Sequence, residues 1–215
     1  MKILALEFSS GRRTVAVGDS AGVCASPLED GRRPRGAFAA IDEVLREAGL
    51  EREQVGCLAV GLGPGSYNGV RSAIAMAQGW ELARGTRLRG INSAECIAWE
   101  AHLAKLVGAV NVVIDAQRGE FYLGRYAIDA RGLEARAPLR IATLDEVKAL
   151  AQSGETIVGP EVNKWFPEGR QLFPSATGLT LLAARRTDFT PGEGLEPIYL
   201  REVNFVKAPP QRMIV

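Results

Sequence analysis

Histidine is almost missing from this sequence: His102 is the only one in 215 residues. A His-x-x-x-His metal pair is therefore excluded, and with it any ordinary Cys-His cluster. A Ser-His-Asp relay would have to rest on His102, which sits inside a plain helical pattern and reads as a partly exposed helix residue. Cysteine is scarce too. Cys24, Cys57 and Cys96 are odd in number and far apart, so they form neither a disulfide framework nor a zinc motif, and read as small buried hydrophobes in a reducing compartment. Charge of one sign is also missing: the net charge is +1, which argues against a chain that grips nucleic acid by itself through phosphate neutralisation. No apolar run reaches the roughly 18 residues of a membrane span. The opening Met1–Phe8 is too short an apolar stretch for a signal peptide. No membrane is expected, and the expected compartment is the cytoplasm.

What remains is an ordinary globular composition, 47% apolar and 24% charged, long enough for one large domain or two small ones. Residues 2–8 read as a buried strand, Thr14–Gly18 as a second and Val23–Ser26 as a third, the last two joined by the turn Asp19-Ser-Ala-Gly22. A Pro- and Arg-rich stretch, Pro27–Gly36, breaks the meander; with Arg12 and Arg13, its Arg32, Arg33 and Arg35 read as solvated loop arginines. Phe38, Ile41, Val44, Leu45 and Ala48 share a helical face over Ala37–Ala48. A strand at Val55–Leu62 precedes a glycine-rich turn from Gly63 to Gly69. A helix to about Ala83, a strand near Leu88–Ile91 and a helix from Ser93 to about Lys105 follow. The second half opens with strands at Ala109–Asp115 and Gly119–Ile128 and the turn Asp129-Ala-Arg-Gly132. A strand near Pro138–Ala142 then leads to a helix capped by Thr143, with Asp145 and Glu146 in its first turn. Short segments at Thr156–Val158 and Gln171–Phe173, a helix near Leu179–Arg186 and a proline-rich tail, Pro191–Val215, complete the chain.

The halves repeat weakly. Glu7 precedes Gly11 by the spacing that separates Asp115 from Gly119, and Asp19-x-x-Gly22 matches Asp129-x-x-Gly132. A strand–strand–strand–helix order recurs with them. The implied architecture is α/β with two similar lobes, residues 1–105 and 106–215. An acid at the end of each first strand would face the cleft between lobes, where phosphotransfer enzymes hold metal and phosphate; polar caps on edge turns explain the same spacings.

The most unusual local sequence is the loop Gly61-Leu-Gly-Pro-Gly-Ser-Tyr-Asn-Gly-Val-Arg71. It leaves a buried strand and opens a helix, a place where N–H groups can hold an anion. It has no Walker A lysine, and Ser66 or Asn68 stands where a dinucleotide fingerprint needs its third glycine. No Gly-x-Ser-x-Gly elbow exists either. Residue chemistry favours a tight turn in which Gly63 and Gly65 take positive φ around Pro64 and Asn68 caps the helix. In that helix Gly69, Ala73 and Ala77 recur every four residues beside Ser72, Met76 and Trp80. Such a stripe permits close helix approach, either deep in its own lobe or against a partner. The shortage of catalytic residues points to binding or scaffolding.

Four segments carry a resemblance: Ile3–Ser10, Gly61–Arg71, Val113-Ile-Asp-Ala-Gln-Arg-Gly-Glu-Phe-Tyr122 and Glu196–Pro210. In order and position the sequence resembles the TsaB family of tRNA threonylcarbamoyladenosine biosynthesis proteins, also called YeaZ or M22 glycoprotease-like. The resemblance implies an actin-like, duplicated two-lobed fold of the ASKHA, ribonuclease H-like class. It implies a non-catalytic scaffold subunit of the complex that installs N6-threonylcarbamoyl on adenosine 37 of tRNA. Its partners would be a catalytic TsaD-type paralogue and a small TsaE-type ATPase. ATP and metal would belong to those partners, with no cofactor held stably by the isolated chain. tRNA would be met only within the complex, and a homodimer would form when the chain is alone. The partner interface is expected on the first-lobe helices, at Phe38, Ile41, Leu45, Gly69, Ser72, Ala73, Met76, Ala77 and Trp80. A vestigial nucleotide cleft is expected at Glu7, Ser9, Ser10 and Asp115, with no metal site. The sequence departs from the family pattern at Glu7 and Phe8 (usually Asp and Thr), at Asn68 (usually Thr) and at Arg35-Gly36-Ala37 (usually His-Ser-Glu). The alternative is an actin-like-fold enzyme, a small-molecule phosphotransferase or an M22-type peptidase.

Overall fold

The computed structural model describes residues 1–25 and 36–200. Arginines 32, 33 and 35, and the family-like ending beyond residue 200, lie outside the described residues.

The apolar run at the start forms β1 (Lys2–Glu7), which pairs antiparallel with β2 (Thr14–Asp19); β2 pairs with β3 (Gly22–Ala25). After α1 (Ala37–Glu47), β4 (Val55–Gly61) joins the other side of β1 in parallel. Helix α2 (Tyr67–Arg84) then crosses to β5 (Arg87–Ile91), giving the order β3-β2-β1-β4-β5. Helix α3 (Ser93–Leu103) leads into the second copy. There β6 (Gly108–Asp115) is antiparallel to β7 (Glu120–Asp129), which pairs with β8 (Gly132–Thr143). After α4 (Leu144–Gln152), β9 (Thr156–Gly159) runs parallel to β6, and β10 (Arg170–Gln171) parallel to β9. The order β8-β7-β6-β9-β10 repeats the first sheet strand for strand. Even the turns match: Asp19 Oδ1 accepts from Ala21 N at 2.8 Å, and Asp129 Oδ1 from Arg131 N at 2.8 Å. The duplicated α/β architecture expected from the repeat is present.

Alternation along β1 explains the layering. Leu4 and Leu6 face a core shared with Ile41 and Val44 of α1 and with Val70, Ala73 and Ala77 of α2. Ile3 and Ala5 face the opposite way, onto Cys96 and Trp99 of α3 and onto Leu179 and Ala183 of the last helix, α5 (Ala176–Ala184). The other side of α3 packs Ala94, Ile97 and Ala98 on Val110 and Val112 of the second sheet. Val147 of α4 closes the far face of that sheet. Helices therefore alternate with sheets, and α3 with α5 forms the middle layer. Although α5 lies late in the chain, it packs on β1 and β2. From there the chain returns along β5, where Thr190 N donates to the Leu88 carbonyl at 2.9 Å. Buried Arg89 holds that return, its Nε donating to the Asp188 carbonyl at 2.7 Å and Nη1 to the Ala183 carbonyl.

Four local expectations change. Strand β8 starts six residues before Pro138, because an exposed edge strand shows no apolar signal over its charged stretch. Helix α5 starts at Ala176, where Ser175 Oγ accepts from Gly178 N. Ser66, not Asn68, caps α2: its Oγ accepts from Gly69 N at 3.3 Å, and Asn68 is already helical. The small-residue stripe is internal. Ala73 and Ala77 have no exposure, Gly69 is buried, and Ile41 and Leu45 of α1 join the same core, so these five residues are withdrawn from the expected partner interface. Close approach is used against the chain's own sheet.

Candidate functional site

The glycine loop leaves β4 at Gly61 and passes under the exit of β1. Its Gly63 and Gly65 do take positive φ, 81° and 149°, around Pro64. A side chain at Gly65 would overlap the Ser9 carbonyl, and one at Gly69 the Phe8 carbonyl. The loop is therefore glycine-rich because two backbone segments touch there. Several of its donors are already engaged: Gly63 N on Ser93 Oγ (3.1 Å), Ser66 N on the Ser9 carbonyl (2.6 Å) and Val70 N on the Ser66 carbonyl (3.0 Å). A phosphate cradle needs such N–H groups pointing outward.

Glu7 ends β1 fully buried. Its Oε1 accepts from Ser9 N at 2.7 Å, and its Oε2 from the Ser93 hydroxyl at 2.9 Å. Gly61 leaves room for the carboxyl; a Cβ there would strike it. Ser93 opens α3, so the positive end of that helix faces the acid. Burial nevertheless pushes the Glu7 carboxyl above its ordinary range, against the opposing hydrogen bonds from Ser9 and Ser93. Glu7 thus pins β1, the glycine loop and α3 together. It does not line the cleft, which corrects its placement there.

The cleft itself lies between the two lobes and measures about 390 Å³. Ser9, Ser10, Pro64, Gly65, Ser66 and Tyr67 line it from the first lobe, and Asp115, Gln117, Tyr122 and Glu161 from the second. Ser9, Ser10 and Asp115 thus line one cleft. The Asp115 carboxylate holds its own turn, Oδ1 accepting from Gln117 N at 2.7 Å and Oδ2 from Gln117 Nε2 at 3.4 Å. Gln117, Arg118 and Gly119 all adopt left-handed backbone, φ 67°, 59° and 75°. At the cleft's edge Tyr67 stacks on Tyr199, centroids 5.4 Å apart, and accepts a hydrogen bond from Arg71 Nη1 at 2.9 Å. His102 stacks with Trp99 on α3 instead of approaching the cleft, and burial raises the Cys57 and Cys96 thiols. Neither Ser93 nor Tyr199 was singled out from sequence; the helix start at Asn92-Ser93 was the available signal for the first.

Both α1 and α2 cover one face of the first sheet and keep an outer face. On α2, Asn68, Ser72, Ala75, Gly79 and Leu82 follow helical spacing and are exposed, Leu82 by 90%. A Cβ at Gly79 would touch nothing. On α1, Phe38 is 67% exposed. Of the expected interface residues, Phe38 and Ser72 are thus exposed, while Met76 and Trp80 are half-buried against the core.

Known proteins share this chain's sequence and fold. The family model for TsaD, tRNA N6-adenosine threonylcarbamoyltransferase, matches residues 37–190. The tRNA threonylcarbamoyladenosine biosynthesis protein TsaB of Escherichia coli (strain K12) is 28% identical over 225 residues, 94% of this chain and 95% of that protein. TsaB of Haemophilus influenzae is 42% identical over a shorter stretch, 40% of this chain and 36% of its own length. The solved structure of YeaZ from Pseudomonas aeruginosa superposes with a TM-score of 0.77 at 23% identity, covering 93% of this chain and 99% of that one. The chain belongs to the TsaD family of tRNA N6-adenosine threonylcarbamoyltransferases, as a TsaB-type member.

Proposed function

We propose that this chain takes part in threonylcarbamoyladenosine modification of tRNA as a non-catalytic subunit that binds and supports a catalytic TsaD-type paralogue. The observation that carries the non-catalytic reading is Glu7. The acid that ends the first strand is turned inward, with both oxygens engaged by Ser9 and Ser93. The names of the TsaB relatives support the pathway. In this reading ATP and metal are handled by the paralogue and a small TsaE-type ATPase, in the cytoplasm, and tRNA is met within the complex. The paralogue docks on the exposed face of α2 and α1, at Ser72, Ala75, Gly79, Leu82 and Phe38. When alone, the chain offers that face to a second copy.

The test is reconstituted tRNA threonylcarbamoylation with the paralogue and the ATPase. Activity should require this chain. Asp115→Asn with Glu161→Gln, which neutralises both carboxylates lining the cleft, should leave activity within about threefold of the parent, since a lost catalytic acid or base costs about 10²–10⁴. Gly79→Arg should abolish co-elution with the paralogue. Loss of turnover in the double variant with the complex intact would assign catalysis to this chain.

A further inference from the structure

We propose that four arginines around the cleft mouth, Arg12, Arg13, Arg71 and Arg118, form a contact surface for the phosphate backbone of RNA. The choice of tRNA as that RNA rests on the function proposed above. All four side chains belong to exposed residues. They come from three loops or helix starts on both lobes, each next to a residue lining the cleft. Arg12 and Arg13 follow Gly11 in the β1–β2 turn, Arg118 follows Gln117 in the β6–β7 turn, and Arg71 grips Tyr67. The two turns are equivalent positions in the duplicated lobes, and both adjoin residues that line the cleft, Gly11 and Gln117.

The four guanidiniums are held without acids among the described residues. Other surface arginines pair with carboxylates, as in Arg52–Asp42, Arg84–Glu53, Arg125–Glu155 and Arg140–Glu146, while Arg87 over Phe189 at 4.4 Å and Arg185 over Trp99 at 4.3 Å stack on rings away from the cleft. None of the four rim arginines has a carboxylate within ion-pair distance among the described residues. Three lie instead over aromatic rings: Arg12 over Phe173 at 4.0 Å, Arg71 over Tyr67 at 5.0 Å and Arg13 over Phe8 at 5.9 Å. Stacking orients a guanidinium while leaving its charge and its donors available to phosphate. The fourth stands in a left-handed turn, φ 59° beside Gln117 at 67°, a costly conformation of the kind kept at working sites.

The floor of the cleft argues against a small phosphate ligand as the occupant. Asp115 and Glu161 face inward there, and the N–H groups of the glycine loop described above are engaged. Negative charge inside and positive charge around the mouth fit a polyanion lying across the opening. A net charge of +1 keeps such a grip weak for the chain alone, so it serves as one part of a larger surface.

The experiment measures anisotropy of labelled tRNA with the full-length chain between about 20 and about 200 mM salt. Four phosphate contacts at about 0.7–0.9 each predict a log–log slope near −3, hence about 10³-fold weaker binding over that range. Replacing all four arginines by alanine should flatten the slope to below about 1 in magnitude, Arg118→Ala alone should reduce it by about one, and replacement of all four by lysine should keep it. A parent that does not bind at low salt, or an alanine variant that matches the parent, would overturn the proposal. Inorganic triphosphate at constant ionic strength should leave the tRNA bound; saturable displacement by it would mean a small-anion site and overturn the RNA assignment. Co-elution with the paralogue is measured separately, and the alanine variant should retain it. Failure of the parent to co-elute would refute the proposed subunit role while leaving the RNA result standing.

Discussion

Helix α2 has two faces that look alike in sequence, and a pair of substitutions separates them. Ala73 has no exposure and lies among Leu4, Leu6, Leu58, Val60 and Val70. Ala73→Glu adds a longer side chain to a filled core, which costs about 1–3 kcal/mol. Its carboxyl cannot stay ionised there. Taking up a proton at pH 7 from an ordinary value near 4.3 costs about 1.4 kcal/mol per unit, or about 4 kcal/mol. The sum is about 5–7 kcal/mol, which at about 2–4 °C per kcal/mol lowers the melting temperature by on the order of 10–30 °C. The protonation part fades as pH falls toward 4.5, so the variant should recover relative to the parent in acid. Gly79→Ala on the outer face meets no atom and removes a helix-interior glycine, so it should stabilise by about 0.5–1 kcal/mol. Circular dichroism melts at pH 7 and pH 5 read both effects. If Ala73→Glu melts within about 2 °C of the parent, or Gly79→Ala melts lower than the parent, the assignment of the two faces is wrong.

Three further perturbations probe the site's frame. Gly65→Val places a branched side chain at φ 149° against the Ser9 carbonyl, and should cost at least about 1–3 kcal/mol in denaturant unfolding; an unchanged midpoint would refute the close approach. Glu7 has a raised carboxyl pKa in the folded state, so the folded form holds its proton more tightly than the unfolded one. Its contribution is therefore fully present below the unfolded value and is lost as pH rises through the folded one. Compared with Glu7→Gln, the parent should lose stability as pH rises from about 4 toward neutrality, and parallel stability–pH curves for the two proteins would refute the buried, cation-free setting of the acid. Arg89→Ala leaves the Ala183 and Asp188 carbonyls without their donor and opens a cavity, at about 2–4 kcal/mol by thermal unfolding. A loss below about 0.5 kcal/mol, as at an ordinary surface position, would show that the return of the chain along β5 is held by other contacts.

Much of the fold was legible because β1, β4 and most of β6 are buried on both faces and read as apolar runs, broken in β6 only by Asn111, and because turn aspartates mark the same points in each copy. The edge strand β8 was hidden over residues 132–137, since only residues with a buried face carry a period. The stripe Gly69, Ala73, Ala77 has the right spacing for close packing, but spacing does not say which neighbour comes close; that depends on β1 and β4 lying beneath it. The α2 cap was misplaced by two residues because Ser66 and Asn68 are both good caps, and the tertiary contact from Ser66 N to Ser9 fixes where the helix starts. Glu7 was legible as an acid ending β1, while its inward direction depends on Ser93, far along the chain.

The two copies differ most where α2 stands. Helix α1 lies between third and fourth strands of its sheet, as α4 does in the other; α3 follows the fifth strand, as α5 does. Between fourth and fifth strands the first copy has an 18-residue helix, whereas the second has only the 3-10 turn Val162–Lys164 and short connecting segments. Both fourth strands end in glycine, Gly61 and Gly159, where the neighbouring first strand comes close. In the first copy the glycine loop at Gly65 and the first turn of α2 at Gly69 press on the β1 exit, and Glu7 is sealed beneath the loop. In the second, with only that turn, Asp115 remains at the cleft. The same helix that closes over the first acid also carries an outer row of small residues and an exposed Leu82. One structural difference between the copies thus links the inward-turned acid to the offered face. It follows that Ser93→Ala, which removes the hydroxyl donor to Glu7 and the acceptor for Gly63 N, should lower stability by about 1–3 kcal/mol. It should leave co-elution with the paralogue unchanged, because α2 is still held by its core residues. Lost co-elution in a variant that remains folded would show that the α2 face depends on the Ser93–Glu7 bond and not on the helix's own core contacts.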